Sequence, residues 1–219
     1  MPRSLVVLAA AALALATPAL AKPAAWSTVK GGAGTVCADG SPFHFHVRRG
    51  AKDKVVIFFN GGGACWSAET CNPKAERPVY LSSMAMPSND PNGKDGIFSA
   101  ERAENPFATW TMVVVPYCTG DAHIGSRRVT YDLGGTRFAI EHKGYNNTQA
   151  ALRWTFKNYA APKSVFVTGS SAGAIAAPFY VGAVANRYPK ARVTMLGDAA
   201  GAYRAAAIPG IFKSWGVED

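Results

Sequence analysis

The chain has 219 residues, 48% of them hydrophobic and 17% charged, with a formal net charge of +9. Roughly 200 residues of this composition suit one domain with a real core and exclude a chain too poor in apolar residues to fold. The basic charges are scattered, and Arg48-Arg49 and Arg127-Arg128 are the only adjacent pairs, so they describe a solvated surface and give no reason to expect nucleic acid as a partner.

The first 21 residues read as an export signal. Arg3 supplies the charged start, Leu5 to Leu15 the apolar stretch, and Ala19-Leu20-Ala21 a small-residue cleavage site. The apolar stretch is short for a membrane span, Pro18 breaks the chain just beyond it, and no stop-transfer pattern appears downstream. The expectation is a secreted or periplasmic protein, cleaved near Ala21, with one domain over residues 22–219 and no stable membrane span. Losing Arg3 takes the formal charge from +9 to +8. Four cysteines behind such a signal imply disulfides. Of three connectivities, the short loop between Cys65 and Cys71 favours their pairing, which leaves Cys37 with Cys118. No C-x-x-C pair or suitably spaced histidine suggests zinc, and neither a metal nor a cofactor is expected.

Ala25 to Val29 reads as a first strand. Phe43, Phe45 and Val47 then alternate with His44 and His46, which predicts a half-buried strand turning its histidines to solvent. Lys54 to Phe59 is a continuous apolar strand of the kind buried in a parallel sheet. It runs into Asn60-Gly61-Gly62-Gly63-Ala64-Cys65-Trp66. Three glycines at a strand's end leave backbone N–H groups unshielded, as an oxyanion hole requires, and match the HGGG-type loop of esterases.

Residues 72–109, rich in Pro, Asn, Ser and Gly, predict a long irregular excursion able to line a cleft. Trp110 to Tyr117 is the next buried strand. Its polar loop, Cys118 to Gly125, falls at the edge where open α/β sheets bind ligands, which makes Asp121 and His123 candidate substrate contacts. Asn146 to about Tyr159 predicts a helix, with Leu152, Phe156 and Tyr159 as its apolar side.

The chain then reads Ser164-Val-Phe-Val-Thr-Gly169-Ser-Ser171-Ala-Gly173, followed by a helix-compatible run to about Arg187. A strand, G-x-S-x-G and a helix form the nucleophile elbow of α/β-hydrolases. Ser171 is the candidate nucleophile, and the Ala172 N–H at the helix start is a candidate oxyanion donor. Ala191 to Leu196 is a further strand closed by Gly197-Asp198-Ala-Ala-Gly201, and Ile208 to Trp215 begins another element.

Several stretches together resemble the pectin acetylesterase/Notum family. They are Cys37-Ala-Asp-Gly-Ser-Pro42, Asn60 to Trp66, Pro116-Tyr-Cys118-Thr-Gly-Asp121, Gly169 to Gly173 and Gly197 to Gly201. The resemblance implies an α/β-hydrolase-like three-layer fold with a mostly parallel sheet, and hydrolysis of carboxylic esters by a Ser-Asp-His triad. Carried over, Ser171 is the nucleophile and Gly62, Gly63 and Ala172 form the oxyanion hole. Trp66, Asp121, His123 and Asp198 remain candidate substrate contacts, and the implied substrate is an ester such as an acetylated polysaccharide. One departure is Ala64, where plant members typically carry Trp before the cysteine.

A larger departure is that all four histidines, His44, His46, His123 and His142, precede Ser171, whereas the triad of this fold runs Ser, acid, His. The acid, the base and the last strands of the sheet are therefore expected in sequence beyond this chain, and the present chain alone is expected to be a weak catalyst. The alternatives are a non-catalytic binding module or degenerate hydrolase, and an esterase of another type using His123 as an improvised base.

Overall fold

The computed structural model describes residues 24–200 and 204–217; the expected export signal lies outside the described residues. Strands β1 (Trp26–Lys30), β2 (His44–Arg48), β3 (Ala51–Phe59) and β4 (Trp110–Val115) come first. A hairpin of β5 (Arg127–Leu133) and β6 (Thr136–His142) is next, then α1 (Gly144–Asn158). The remainder is β7 (Ser164–Ser170), α2 (Ala172–Arg187), β8 (Arg192–Asp198) and α3 (Ile208–Trp215). The main sheet has six strands in the order β1-β2-β4-β3-β7-β8. β4, β3, β7 and β8 are parallel, while β1 and β2 join antiparallel at one side.

Alternation along each central strand divides the core into two layers. Val55, Ile57 and Phe59 of β3 pack with Val113, Val115, Val165 and Val167 beneath Leu152 of α1, Ala176 and Tyr180 of α2 and Trp215 of α3. Val56 and Phe58, with Met112 and Val114, face the other way onto Ile97, Phe98 and Phe107. Among the described residues the three helices therefore cover one face, and the irregular segment 72–109 supplies the third layer. Its turns are held locally: Asn105 Nδ2 donates to the carbonyls of Ile97 and Ser99, at 3.0 and 2.6 Å.

That cover corrects one expectation. His46 is buried, with its Nδ1 3.3 Å from Thr28 Oγ1, and His44 is only partly accessible. The histidine side of β2 faces Met84, Met86 and Asp90 of the excursion across a cavity, not open solvent. Strand alternation finds the two faces of a strand, but it does not reveal an irregular segment lying over one of them.

Both expected disulfides form, Cys37–Cys118 and Cys65–Cys71, separated by 81 and 6 residues. Loop-closure entropy makes the longer one worth about 4.5 kcal/mol and the shorter about 2 kcal/mol. Replacing both members of each pair by serine and measuring urea denaturation should rank them in that order; equal or inverted losses would show that native contacts, not chain entropy, dominate.

The buried imidazoles set a second expectation. Burial pushes His46, His123 and His142 down to about 4 from the ordinary 6.5. Burial raises Asp121 to about 6 against the hydrogen bonds that lower it. The stability from each neutral histidine is full above pH 6.5 and is lost as pH falls toward 4, while that from the protonated Asp121 is lost as pH rises toward 6. Three histidines outweigh one carboxyl, so the melting temperature should rise between about pH 4 and 6.5 and then level off; a flat or falling profile would contradict it.

Candidate active site

The site grows from the ends of two adjacent strands, where backbone meets backbone with no room for side chains. A Cβ on Gly169 would strike the carbonyl of Gly173 and lie 2.8 Å from the Phe59 oxygen. A Cβ on Gly173 would strike the Phe59 carbonyl, and one on Gly61 would lie 2.7 Å from the Ser170 oxygen and 2.9 Å from Ser171 Cβ. The glycines of the elbow and of the loop after β3 are thus fitted to one another.

Between them Ser171 turns the chain from β7 into α2 at φ 53° and ψ −118°. A non-glycine residue held there stores strain, of order 1–3 kcal/mol. Two backbone bonds hold it: its N–H donates to the Asp198 carbonyl at 2.9 Å, and its own carbonyl accepts from the Ala174 N–H at 2.9 Å. Ser171 itself is exposed. It opens into a cavity of about 360 Å³ lined also by Phe58, Asn60, Gly61, Gly62 and, from the excursion, Ser88, Lys94 and Phe98.

Ala172 is the first residue of α2, so its N–H belongs to the unsatisfied first turn. Among the described residues no hydrogen bond engages the N–H groups of Gly62, Gly63 or Ala172. Gly62 lies in the cavity wall beside Ser171. Gly63 turns aside at φ 74° to pair with Tyr80 and is not part of that wall.

The remaining candidates are spread out. Trp66 is 37% exposed and lies outside the cavity wall. Asp198 ends β8 in register with Ser170 and meets Ser171 through its backbone. Asp121 and His123 are completely buried, which corrects their expected contact with substrate. Asp121 accepts from Thr119 Oγ1 at 2.6 Å and from the His123 and Gly144 N–H groups at 3.1 and 2.7 Å, tying the loop to the N-terminus of α1. A carboxyl there satisfies an orphan donor of the helix that the Lys143 side chain leaves uncapped.

His123 Nε2 lies 2.8 Å from the Asn60 carbonyl, and its ring packs against Phe59 and Tyr117. Burial keeps it neutral, so Nε2–H donates and the ring fixes the start of the glycine loop. This removes His123 as an improvised base. His142 is likewise occupied, between the Thr119 carbonyl at 3.0 Å and the Tyr131 hydroxyl at 3.1 Å. Among the described residues Cys65, Cys71 and His142 are the one group whose ligand atoms lie within 4.8 Å of one another. The two sulfurs are joined as a disulfide and do not offer the thiolates a metal would take.

Sequence reasoning missed Gly61, Ser88, Lys94 and Phe98 as cavity residues. Gly61 stood within the glycine run, and the other three sat in a segment whose composition gives no register.

Comparison with known proteins bears on the family and the fold. The pectinacetylesterase family model matches residues 22–207. Pectin acetylesterase 11 of Arabidopsis thaliana is 28% identical over 182 residues, 76% of this chain and 42% of that protein. The inactive palmitoleoyl-protein carboxylesterase notum1b of Danio rerio is 35% identical over 104 residues, 45% of this chain and 71% of that protein. The structure of the Wnt deacylase Notum from Drosophila superposes with a TM-score of 0.65 at 21% identity, covering 84% of this chain and 58% of that one. The chain thus spans less than half the length of the plant relative and a little over half that of the Drosophila protein.

The strain at Ser171 is measurable. Exchange for glycine relieves the left-handed backbone, whereas exchange for alanine keeps it. Ser171→Gly should therefore be more stable than Ser171→Ala by about 1 kcal/mol in chemical denaturation, the reverse of the usual order; alanine as the more stable variant would show that the turn is unstrained.

Proposed function

The chain belongs to the pectinacetylesterase family, and from that premise we propose that it carries the nucleophile and oxyanion hole of a secreted serine carboxylesterase. One observation carries the reading: Ser171, held at positive φ on a strand-to-helix turn, faces a cavity walled by the glycine loop. In the proposed reaction Ser171 Oγ attacks the ester carbonyl and the alcohol leaves. The oxyanion accepts hydrogen bonds from the N–H groups of Gly62 and Ala172, Gly63 serving the hole only if its N–H turns back from the pairing with Tyr80, and water then releases the acyl group. Among related proteins pectin acetylesterases give the substrate class, and acetylated polysaccharide is the ester we assign.

None of the four histidines lines the Ser171 cavity, and two are held by backbone carbonyls, His123 by that of Asn60 and His142 by that of Thr119. The base, with its acid, is accordingly assigned to sequence beyond these 219 residues, in the order this fold uses. Export is assigned to residues 1–21, with residues 22–219 as the N-terminal portion of the hydrolase domain; the two disulfides support an oxidising compartment. Among the described residues no helix is long and apolar enough to cross a membrane.

A second reading, a non-catalytic binding module, is favoured by the relative whose name calls it inactive. The two separate in one experiment on the natural full-length gene product. The esterase reading expects a fluorophosphonate to label Ser171, and Ser171→Ala to lower acetyl-ester turnover by about a thousandfold or more. No labelling, with turnover equal in the two proteins, leaves the binding module.

A further inference from the structure

The histidine face of β2 and the excursion above it enclose a cavity of about 410 Å³ that the proposed reaction does not use. His44 and His46 stand two residues apart on one strand and so project to the same side. Their rings meet edge to face, with centres 5.1 Å apart. Thr28 of β1 pairs with His46 across the strands, and its Oγ1 lies 3.3 Å from His46 Nδ1. That contact occupies one ring nitrogen. Nε2 of His46 and the whole His44 ring have no hydrogen-bond partner among the described residues.

The facing wall comes from residues 84–92, with Met84, Met86, Asn89 and Asp90 among them. Asn89 is spent: its amide donates to the Ser83 and Tyr117 carbonyls, and its Oδ1 accepts from Asn60 and the Tyr117 N–H. Asp90 is the charged side chain of the wall, and its Oδ1 accepts from the Asn92 N–H at 2.9 Å and from its Nδ2 at 2.7 Å. Among the described residues no third imidazole, thiol or carboxylate stands with both rings inside 4.8 Å, so the oxygen-rich cage that hard cations use is not built here. What the wall offers the two imidazoles is thioether sulfur. All four cysteines are closed in disulfides, which leaves methionine as the sulfur ligand. Met84 packs against the main core, whereas Met86 is 38% exposed, so Met86 is the thioether free to turn inward. Burial lowers the pKa of both histidines, and at neutral pH each ring keeps a lone pair for a metal.

We propose that His44, His46 and the thioether of Met86 form a copper(I) site in this cavity. Imidazole with thioether is a soft donor set, which selects copper(I) over zinc, calcium or magnesium. Thr28 is the outer partner that fixes the His46 ring. The ligands come from β2 and from the irregular cover, so bound copper braces residues 84–92 against the sheet. The spacing of the histidines relative to cysteine gave no sign of the site, because its sulfur comes from a segment without periodicity. The proposal rests on no step at Ser171.

The test uses untagged full-length protein, titrated without air against copper(I) held by bicinchoninate in ascorbate, with zinc(II) titrated separately. One equivalent of copper should pass from the chelator to the protein, and X-ray absorption at the copper edge should show sulfur as well as nitrogen. Thr28→Val should raise the copper(I) Kd about tenfold, as loss of an outer partner does, and His44→Gln and Met86→Leu at least as much. Copper should raise the melting temperature of the natural protein and leave that of His44→Gln unchanged. No transfer from the chelator, or unchanged affinity in a His44→Gln protein with native circular dichroism, overturns the site. A copper shell without sulfur, or tighter binding of zinc(II) that ignores Met86→Leu and falls in Asp90→Asn, overturns the copper(I) assignment. Failure of Ser171 to react with fluorophosphonate would leave these results standing, so the two readings fail separately.

Discussion

The structure depends on the close approach of two strand ends, those of β3 and β7, at their carboxyl edge. Phe59 and Asn60 come so near Gly169 and Gly173 that a single methyl group on either glycine would meet a backbone carbonyl. The approach does two things. It forces the chain through the strained turn at Ser171, and it brings Gly61 against Ser170 and Ser171 from the other side. The candidate nucleophile and the candidate oxyanion donors are therefore not two sites brought together by a flexible loop. Ser171 and the start of the glycine loop at Gly61 are two sides of one backbone contact. Preorganisation of that kind is what electrostatic stabilisation of an oxyanion needs.

A buried polar network supports the contact from below. Left-handed backbone at Ala122 and His123 is costly for residues with a Cβ, and persists because five bonds determine it. The Tyr117 hydroxyl accepts from the Ala122 N–H, Asp121 accepts from the His123 N–H, the Tyr180 hydroxyl donates to the His123 carbonyl, His123 donates to Asn60, and Asp121 holds Gly144. The loop after β4 thus joins α1, α2 and the glycine loop in one unit. Its polar residues look like catalytic ones in sequence, since Asp and His at a strand's carboxyl end are common in active sites. Their complete burial makes them positioning residues for Asn60 and for the start of the glycine loop.

What could be read in the sequence was what local chemistry dictates. Apolar runs located β3, β4 and β7, and clustered glycines marked the places where backbones meet. Cysteine spacing gave both disulfides. The β5–β6 hairpin was missed, although Gly134-Gly135 stands between alternating segments around Val129, Tyr131 and Phe138, Ile140, a usable hairpin signal. The burial of His46 and the place of Lys94 in the wall of the Ser171 cavity were not legible at all. Both depend on how residues 72–109 lie over the sheet, and that segment has no periodicity to read. Its path is set by scattered side-chain bonds such as Asn89 with Asn60 and Tyr117.

This division of labour has a consequence for how specificity is built. The candidate nucleophile and the candidate N–H donors stand at the turn after β7, at the start of α2 and in the loop after β3, where a shift of one residue would undo the backbone contact. Ser88, Lys94 and Phe98 belong to the irregular cover, which is held to the sheet at Asn60 through Ser88 and Asn89, at Tyr117 through Asn89, and by the packing of Phe98 and Phe107 on its face. Asn60 is thus the joint between the two: its carbonyl is held by His123, its amide by the cover, and the next residue opens the glycine loop. Substitutions in the cover can change what enters the cavity while leaving the elbow intact. Loops that carry recognition on a scaffold that carries chemistry obey the same logic, and here the amide of Asn60 is one of the bonds that couple cover and elbow.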